Sequence, residues 1–242
     1  MSSTLVIADL HLCPSRPEIT DCFFRFLKEN LDQHDALYIL GDLFEAWIGD
    51  DDKSDFNLSV ADAIKAFSSN TPVYFIHGNR DFLIGHEFAK RSGMSLLPED
   101  YKTTLYGRPV LFMHGDQLCI DDIDYQAFRK RSRSWWWKKL MLILPLKKRQ
   151  KIAANIRKKS KESQQNKSID IMDVAEREVN RVIDYYQCEW LIHGHTHRPN
   201  IHQLAHNKKR MVVGDWYEQG SVLIITKEKG QLSTLPFHQN AN

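Results

Sequence analysis

The amino-acid sequence predicts an α/β fold that is interrupted by a basic, helical insertion. Short apolar runs rich in β-branched residues alternate with longer stretches in which apolar residues recur at helical spacing, an order typical of α/β proteins. Five of the apolar runs are followed within two residues by Asp, His or Asn, which places polar side chains at the ends of strands. Between residues 129 and 167 the composition changes to a dense series of Lys and Arg.

The first part of the chain predicts three strands with two helices between them. Buried strands are expected over residues 4–8, 36–40 and 73–76, because each is a short apolar run of strand length. Helices are expected over residues 23–31 and 60–67, where apolar side chains recur every three or four positions. Strand, helix, strand, helix, strand is the order of an α/β body.

The remainder predicts a hairpin, the insertion, a helix and a series of strands. The hairpin is expected over residues 101–105 and 109–113, and the insertion (121–167) has one proline and no glycine, which favours short helices. A further helix is expected to begin at the N-cap Ser168 and to carry an apolar stripe as far as Tyr186. The later strands are expected at residues 190–192, 210–214, 221–226 and 231–237.

Length and composition indicate a single domain, residues 1–242, that contains the insertion 121–167. The chain has 242 residues, of which 42% are hydrophobic and 26% charged, and these proportions argue against a disordered or fibrous protein. The formal net charge is only +2, but it is unevenly distributed. Fifteen Lys and Arg against one Glu between residues 129 and 167 leave 18 basic and 30 acidic residues elsewhere. We therefore expect a basic insertion on an acidic body.

Cysteine usage and the short apolar runs favour a cytosolic protein. The N-terminal run over residues 5–8 is too short for a signal peptide, and the run over residues 140–146 is shorter than the roughly 20 residues that a transmembrane helix needs. The cysteines have no C-x-x-C spacing, so we expect reduced packing residues. They are Cys13, Cys22, Cys119 and Cys188.

The predicted strand ends carry a set of metal-ligand side chains. Ligands gather at the carboxyl ends of strands in an open α/β sheet, so these groups are expected at one edge. Asp, His and Asn without a thiolate suit Mn²⁺, Mg²⁺, Fe²⁺ or Zn²⁺, and two ions about 3.5–4 Å apart promote in-line phosphoryl displacement. One such motif would fit a capping Asp and a surface His, but five in order indicate a metal centre. The motifs are Asp9-Leu10-His11, Gly41-Asp42, Gly78-Asn79-Arg80-Asp81, His114-Gly115-Asp116 and Gly194-His195-Thr196-His197.

These five motifs, in this order, resemble the signature of the calcineurin-like metallophosphoesterases. The resemblance spans residues 9–197 and implies an α/β, four-layer αββα sandwich with a dinuclear site at one edge and the insertion as a helical lid. The ligands that it implies are Asp9, His11 and His197 for one ion, Asn79, His114 and His195 for the other, and Asp42 as the bridge.

Longer blocks around the motifs resemble a narrower family, the UDP-2,3-diacylglucosamine pyrophosphatases of lipid A biosynthesis. That family uses Mn²⁺ to hydrolyse its substrate to UMP and 2,3-diacylglucosamine 1-phosphate. The resemblance therefore implies attack on the uridine-side phosphorus and two Mn²⁺ ions per chain, although Mg²⁺ and Fe²⁺ accept the same ligands. The blocks are residues 7–12, 38–51, 77–82 and 193–199.

One departure from the broader pattern is informative. Arg80 stands where the superfamily usually has a histidine that protonates the leaving group. A phosphate leaving group, with a second pKa of about 6, needs little protonation at neutral pH but does need charge stabilisation, which a guanidinium supplies. The alternative for Arg80 is a surface salt bridge. The residues implied as catalytic are Arg80, His195 and Asp42.

The insertion combines three tryptophans, a short apolar run and several Lys and Arg within residues 134–149. This combination suits the interface of an anionic membrane or a cleft for acyl chains. An amphipathic cap helix with a solvated basic face would use the same residues, and so would a surface that binds nucleic acid. We expect the substrate and the anionic inner membrane as partners, with the protein peripheral on its cytoplasmic face, and we expect no nucleic acid and no obligate protein partner.

The family resemblance also implies that the insertion holds the glucosamine and acyl chains beside the metal ions. Gln164 departs from the asparagine expected at its position, but either amide donates and accepts hydrogen bonds. Two competing functions remain, a dinuclear nuclease or nucleotide phosphodiesterase with the same ligands, and a non-catalytic binding module that would have lost ligands. The implied substrate contacts are Asn79, Arg80, Asp122, Ser160, Gln164, Lys167 and His195.

Overall fold

Two β-sheets pack face to face in the structure, a computed structural model that describes residues 2–165 and 173–237. The first sheet contains β1 (Thr4–Ile7), β2 (Ala36–Ile39), β3 (Val73–Phe75), β4 (Met94–Leu96), β10 (Gly220–Ile225) and β11 (Gly230–Leu235), in the spatial order β11-β10-β1-β2-β3-β4. The second contains β5 (Tyr101–Leu105), β6 (Arg108–Phe112), β7 (Trp190–His193), β8 (Asn200–Gln203) and β9 (Lys209–Val212), in the order β5-β6-β7-β9-β8. Strands β1 to β4 run parallel to one another, as do β6, β7 and β9.

Helices cover the outer faces of both sheets and form the insertion. The helices of the described residues are α1 (Pro17–Glu29), α2 (Asp55–Ser68), α3 (His86–Ser92), α4 (Ile123–Ser132), α5 (Trp135–Ile143), α6 (Leu146–Gln165) and α7 (Glu176–Tyr186). Apolar side chains of α1, α2 and α3 pack on the outer face of the first sheet, and those of α7 pack on the second. Helices α4, α5 and α6 make up the insertion.

The interface between the sheets is a separate apolar layer. Side chains from β1 and β2 meet those from β6 and β7 there, and the rings of Tyr38 and Phe112 stack with centroids 4.3 Å apart across it. Strands β1, β2 and β7 are buried at every position, because each is covered by the other sheet on one face and by helices on the other. The order helix, sheet, sheet, helix confirms the predicted four-layer sandwich.

Three elements escaped the sequence-based prediction, and one predicted helix is wrong in extent. Strand β8 is a half-exposed polar strand, and β4 has only three residues, so neither gives an apolar run. Helix α3 is a two-turn helix. The predicted N-cap Ser168 lies outside the described residues, but a single helix from there to Tyr186 is excluded, because residues 173–175 are not helical.

The cysteines are free, as predicted, and three of the four are buried. The described part of the insertion is helical and contacts the body through arginines. Each of these arginines pairs with an acid outside the insertion, so the two regions of opposite charge meet at their interface. The pairs are Arg129 and Arg133 with Glu99 and Asp116, Arg149 with Asp51, and Arg157 with Glu45.

Arg149 is the most buried of these arginines, with 2% of its side chain exposed. Its Nε donates to the carbonyl of Leu144 at 2.9 Å, and its Nη1 donates to the carbonyl of Ile48 and to Asp51 Oδ1. Gly49 leaves the space for this guanidinium, since an added Cβ would collide with Nη1. Arg149 therefore fixes the α5–α6 junction to the loop after β2.

We predict that Arg149→Ala destabilises the protein by about 2–3 kcal/mol, because it removes the charged donor from two carbonyls that would be left without a partner. The free energy of unfolding in urea measures the effect. Lys148→Ala is the matched control, since Lys148 is the exposed neighbour in the same helix and should change stability little. Equal stability of the two variants would contradict this account of the junction.

Candidate metal centre

The loops that follow five parallel strands meet at one edge of the sandwich. The carboxyl ends of β1, β2 and β3 in the first sheet lie beside those of β6 and β7 in the second, as the sequence predicted for strands of an α/β sheet. The structure brings together the side chains predicted as ligands. They are Asp9 and His11 after β1, Asp42 after β2, Asn79 after β3, His114 after β6, and His195 and His197 after β7.

Five of these residues have the left-handed backbone conformation. A non-glycine residue with positive φ is uncommon, and such residues cluster where the chain must turn a side chain toward a functional site. Here the conformation lets the chain leave a strand and direct the next side chain toward the same edge. The residues and their φ angles are Asp9 (54°), His11 (53°), Asp42 (52°), His195 (68°) and His197 (55°).

Glycines allow the loops to approach one another closely. A Cβ on Gly78 would collide with the carboxylate of Asp42, and a Cβ on Gly194 would collide with that of Asp9. Without a Cβ at these positions, the carboxylates have space to accept main-chain hydrogen bonds. Arg80 N donates to Asp42 Oδ1 at 2.8 Å, and His195 N donates to Asp9 Oδ2 at 2.7 Å. The glycines of the sequence motifs are thus required for the packing of the ligand loops.

The first group of predicted ligands consists of Asp9, His11 and His197. Their ligand atoms all lie within 4.8 Å of one another, with His11 Nε2 3.4 Å from His197 Nε2 and His197 Nε2 3.6 Å from Asp9 Oδ1. Asp9 Oδ1 and His11 Nδ1 are buried and have no hydrogen-bond partner. Buried polar atoms without a partner are costly, so their convergence favours a bound cation.

The second group consists of Asn79, His114 and His195. The Oδ1 of Asn79 lies 2.8 Å from His114 Nε2 and 2.9 Å from His195 Nδ1. Asp42 lies between the two groups, with Oδ1 3.8 Å from His114 Nε2 and Oδ2 4.0 Å from His11 Nδ1. Asp42 is therefore close to both groups. Oxygen and imidazole donors without a thiolate fit divalent metal ions.

Burial keeps two of the imidazoles neutral. It lowers the pKa of His195 to about 4, with a further decrease from His114, and it lowers the pKa of His11 well below its usual range, with a further decrease from Arg80. Metal ions bind only deprotonated imidazole, so both side chains are in the ligand form at neutral pH.

The carboxylates attract positive charge to the same edge. Burial would lower the pKa of His114, but Asp42 and Asp9 outweigh it and raise the pKa. Burial likewise opposes protonation of His197, but the carboxylate of Asp9, 3.6 Å away, raises its pKa. The same negative charges would attract a divalent ion.

Known proteins are similar to this chain in sequence and in fold. Residues 2–199 match the family described as calcineurin-like phosphoesterase. A UDP-2,3-diacylglucosamine hydrolase of Shewanella piezotolerans is 54% identical, over 97% of this chain and 98% of its own. A UDP-2,3-diacylglucosamine hydrolase of Escherichia coli O7:K1 is 53% identical, over 97% of this chain and 100% of its own. The chain belongs to the UDP-2,3-diacylglucosamine hydrolase family of calcineurin-like phosphoesterases.

A solved structure of an archaeal phosphodiesterase supports the fold at much lower sequence similarity. It has a TM-score of 0.50 and 13% identity, and the match covers 96% of this chain and 99% of that protein.

The family match and the curated relatives together identify this chain as a hydrolase of a metal-dependent phosphoesterase family, as the resemblance implied.

Arg80 lies beside the predicted ligands and forms salt bridges there, although most of its side chain is buried. Its side chain is 17% exposed, its Nε is 3.4 Å from Asp42 Oδ2, and its Nη1 pairs with Glu45. Burial would lower the pKa of Arg80, but Asp42 and Glu45 raise it, so the cation is retained. Arg157 of the insertion pairs with the same Glu45, which places a second guanidinium beside the first.

Sequence reasoning missed Arg157 and two residues that follow β9. Asp215 Oδ2 lies 3.5 Å from His197 Nδ1, and Tyr217 stacks on His11 with ring centroids 5.2 Å apart. The signal for Asp215 was present, because Gly214-Asp215 follows a predicted strand in the way that Gly41-Asp42 does. Arg157 gives no such signal, since it is one of many basic residues in the insertion.

The remaining predicted substrate contacts belong to the insertion segment of the sequence. Asp122 caps α4, with its Oδ1 accepting from Tyr125 N at 3.1 Å, and Ser160 is exposed on α6. The side chain of Gln164 and the whole of Lys167 lie outside the described residues. The contact of these four residues with substrate stays a prediction.

We predict that a divalent ion stabilises this hydrolase, because buried Asp9 and Asp42 lose mutual repulsion when a cation lies between them. At a metal concentration about 100 times Kd, the gain is about 2.7 kcal/mol. Thermal unfolding of chelator-treated protein with and without added Mn²⁺ measures it.

Asp9→Asn should lose most of the stability gained on adding Mn²⁺, since the amide contributes no charge. The exposed Asp21→Asn is the matched control and should keep the full response to Mn²⁺. A response of Asp9→Asn equal to that of the control would remove Asp9 from the ligand set.

Proposed function

We propose that this hydrolase cleaves the pyrophosphate bond of UDP-2,3-diacylglucosamine, giving UMP and 2,3-diacylglucosamine 1-phosphate in lipid A biosynthesis. The observation that supports the proposal is that all seven predicted ligand residues lie at one edge, in a chain that aligns over almost its whole length with UDP-2,3-diacylglucosamine hydrolases. A binding module derived from this fold would have lost ligands, so the intact set favours catalysis.

Two Mn²⁺ ions fit the donor set, in which buried unpartnered atoms of Asp9 and His11 face a second group around Asn79. When bound, such a pair supplies Lewis-acid stabilisation and an activated water for in-line displacement. The residues that would hold the ions are Asp9, His11 and His197 for one, Asn79, His114 and His195 for the other, and Asp42 between them.

The two guanidiniums beside the ligands suit a pyrophosphate substrate. Burial lowers the pKa of Arg157, and the neighbouring charge of Arg80 lowers it further, so an anion between them is stabilising. Glu45 already pairs with both. Phosphate oxygens of the substrate would accept from the same donors, and Arg80 would neutralise the charge that develops on the phosphate leaving group.

His195 and Asn79 combine metal binding with orientation of the substrate. His195 is held on one side by Asn79 Oδ1, and the ring of Tyr125 stacks on it with centroids 6.0 Å apart. An imidazole fixed in this way can present the same face to a phosphate oxygen throughout the reaction.

We predict that the Mn²⁺-loaded protein releases UMP from UDP-2,3-diacylglucosamine but not from UDP-N-acetylglucosamine, which has no acyl chains for the insertion to hold. Product analysis with each substrate, with Mn²⁺, Mg²⁺ or chelator, makes the comparison. Arg80→Ala should lower kcat by about 10²–10³, because charge on the leaving group is greatest in the transition state.

Arg91→Ala is the control for Arg80→Ala, since Arg91 forms an exposed pair with Asp62. Asp42→Ala should abolish turnover. Hydrolysis of a generic phosphodiester with no UMP from either sugar nucleotide would mean a nucleotide phosphodiesterase instead.

We also propose that helix α5 places the protein on the anionic inner membrane, at its cytoplasmic face. Met141 is buried and Trp137 packs against Phe82, whereas the opposite side of the helix exposes 76% of Trp135 and 71% of Ile143. Leu140, Trp136 and the basic Lys139 are exposed on the same side. Tryptophan, aliphatic and basic side chains together suit an anionic lipid surface.

The described residues contain no helix of the length and hydropathy that would span a membrane. The attachment proposed here is therefore through the exposed face of α5.

We predict that Trp135→Gln/Ile143→Gln binds vesicles of phosphatidylglycerol and phosphatidylethanolamine less than the unaltered protein does, because it removes apolar area that lipid would cover. Co-sedimentation at low salt measures binding. Tyr185→Gln is the matched control, since Tyr185 is 73% exposed but lies on α7. Equal binding of all three proteins, or binding of none, would contradict attachment through α5.

A further inference from the structure

A buried network of charges connects helix α4 to the body beside the metal ligands. Asp116 at its centre is fully buried, and its Oδ2 accepts from the Tyr125 hydroxyl at 2.6 Å and from Arg129 Nε at 2.8 Å. Arg133 Nη2 lies 3.4 Å from the same oxygen. Glu99 accepts from Arg129 Nη2 at 2.6 Å and from Arg133 Nη1 at 2.8 Å.

Arg133 extends this network to a predicted metal ligand. Its Nη2 donates to the carbonyl of Gly78 at 2.9 Å, and Gly78 directly precedes Asn79. The Oδ1 of Asn79 in turn accepts hydrogen bonds from His114 Nε2 and His195 Nδ1. One guanidinium, 9% exposed, thus contacts the loop that carries Asn79.

Tyr125 approaches the same ligand group from another direction. Its ring stacks on His195 at an angle of 28°, while its hydroxyl donates to Asp116. Helix α4 therefore contacts the second ligand group both through Tyr125 and His195 and through Arg133 and Gly78.

We propose that Arg133 is a positioning residue that couples the docking of α4 to metal binding at Asn79, His114 and His195. This rests on the ligand assignment made above, not on the identity of the substrate. Coupling between two sites is reciprocal. If docked α4 holds Asn79 in place for the metal ion, the ion must stabilise the docked helix by the same factor.

The first test compares Mn²⁺ affinity by calorimetry on chelator-treated protein. Arg133→Gln should weaken one of the two binding events by about 10-fold or more, as loss of a group that orients a metal ligand does. The other event, at Asp9, His11 and His197, should keep its affinity. Arg131→Gln is the matched control, since Arg131 is exposed two positions earlier. Thermal unfolding confirms that each variant is folded.

The second test needs no variant. Hydrogen exchange of the α4 amides, residues 123–132, should slow when Mn²⁺ is added to the unaltered protein, and this response should be lost in Arg133→Gln. Equal Mn²⁺ affinity in Arg133→Gln and Arg131→Gln, or exchange in α4 that Mn²⁺ does not change, would overturn the proposal. Neither measurement uses a substrate, so failure of the substrate assignment would leave both results intact.

Discussion

The carboxylates of Asp9 and Asp42 are buried beside one another, and this proximity requires positive charge at the same edge of the sandwich. Neither is more than 2% exposed, and two negative charges in that position repel unless positive charge lies between them. Burial raises the pKa of Asp42, and Asp9 raises it further, whereas His114 and Arg80 oppose the increase. The left-handed residues and the close glycine contacts place these groups together, and a divalent ion is the group that best offsets their charge.

The same need for positive charge explains how the insertion docks. The body is acidic once the insertion is set aside, and Arg129, Arg133 and Arg157 each meet one of its acids near the ligand loops. Burial would raise the pKa of Asp116, but Arg133 and Arg129 hold it below its usual range, so this carboxylate remains ionised and keeps its partners. The separation of basic and acidic residues along the sequence therefore reflects the interface between the insertion and the body.

The sequence predicted the sandwich and the placement of the ligand side chains because both depend on local order. A short apolar run followed by Gly-Asp or Gly-Asn identifies a strand and the loop at its end without knowledge of the strand's neighbours. Arg149 and Tyr217 depend instead on contacts with residues about a hundred or more positions away, at Asp51 and His11. Strand β8, polar and half-exposed at the sheet edge, is defined by pairing with β9 and not by composition.

The insertion has two surfaces of different chemistry, one basic and facing the body, the other apolar and exposed on α5. Its arginines face the acids of the body, while α5 exposes Trp135, Leu140 and Ile143 on the side opposite buried Met141. A UDP-sugar lipid likewise combines two chemistries, since its anionic pyrophosphate is joined to a sugar that carries apolar acyl chains. Tyr125 of α4 stacks on His195, and Arg133, at the end of α4, binds the carbonyl of Gly78 next to Asn79. A displacement of α4 would therefore disturb the loops that carry two of the predicted ligands.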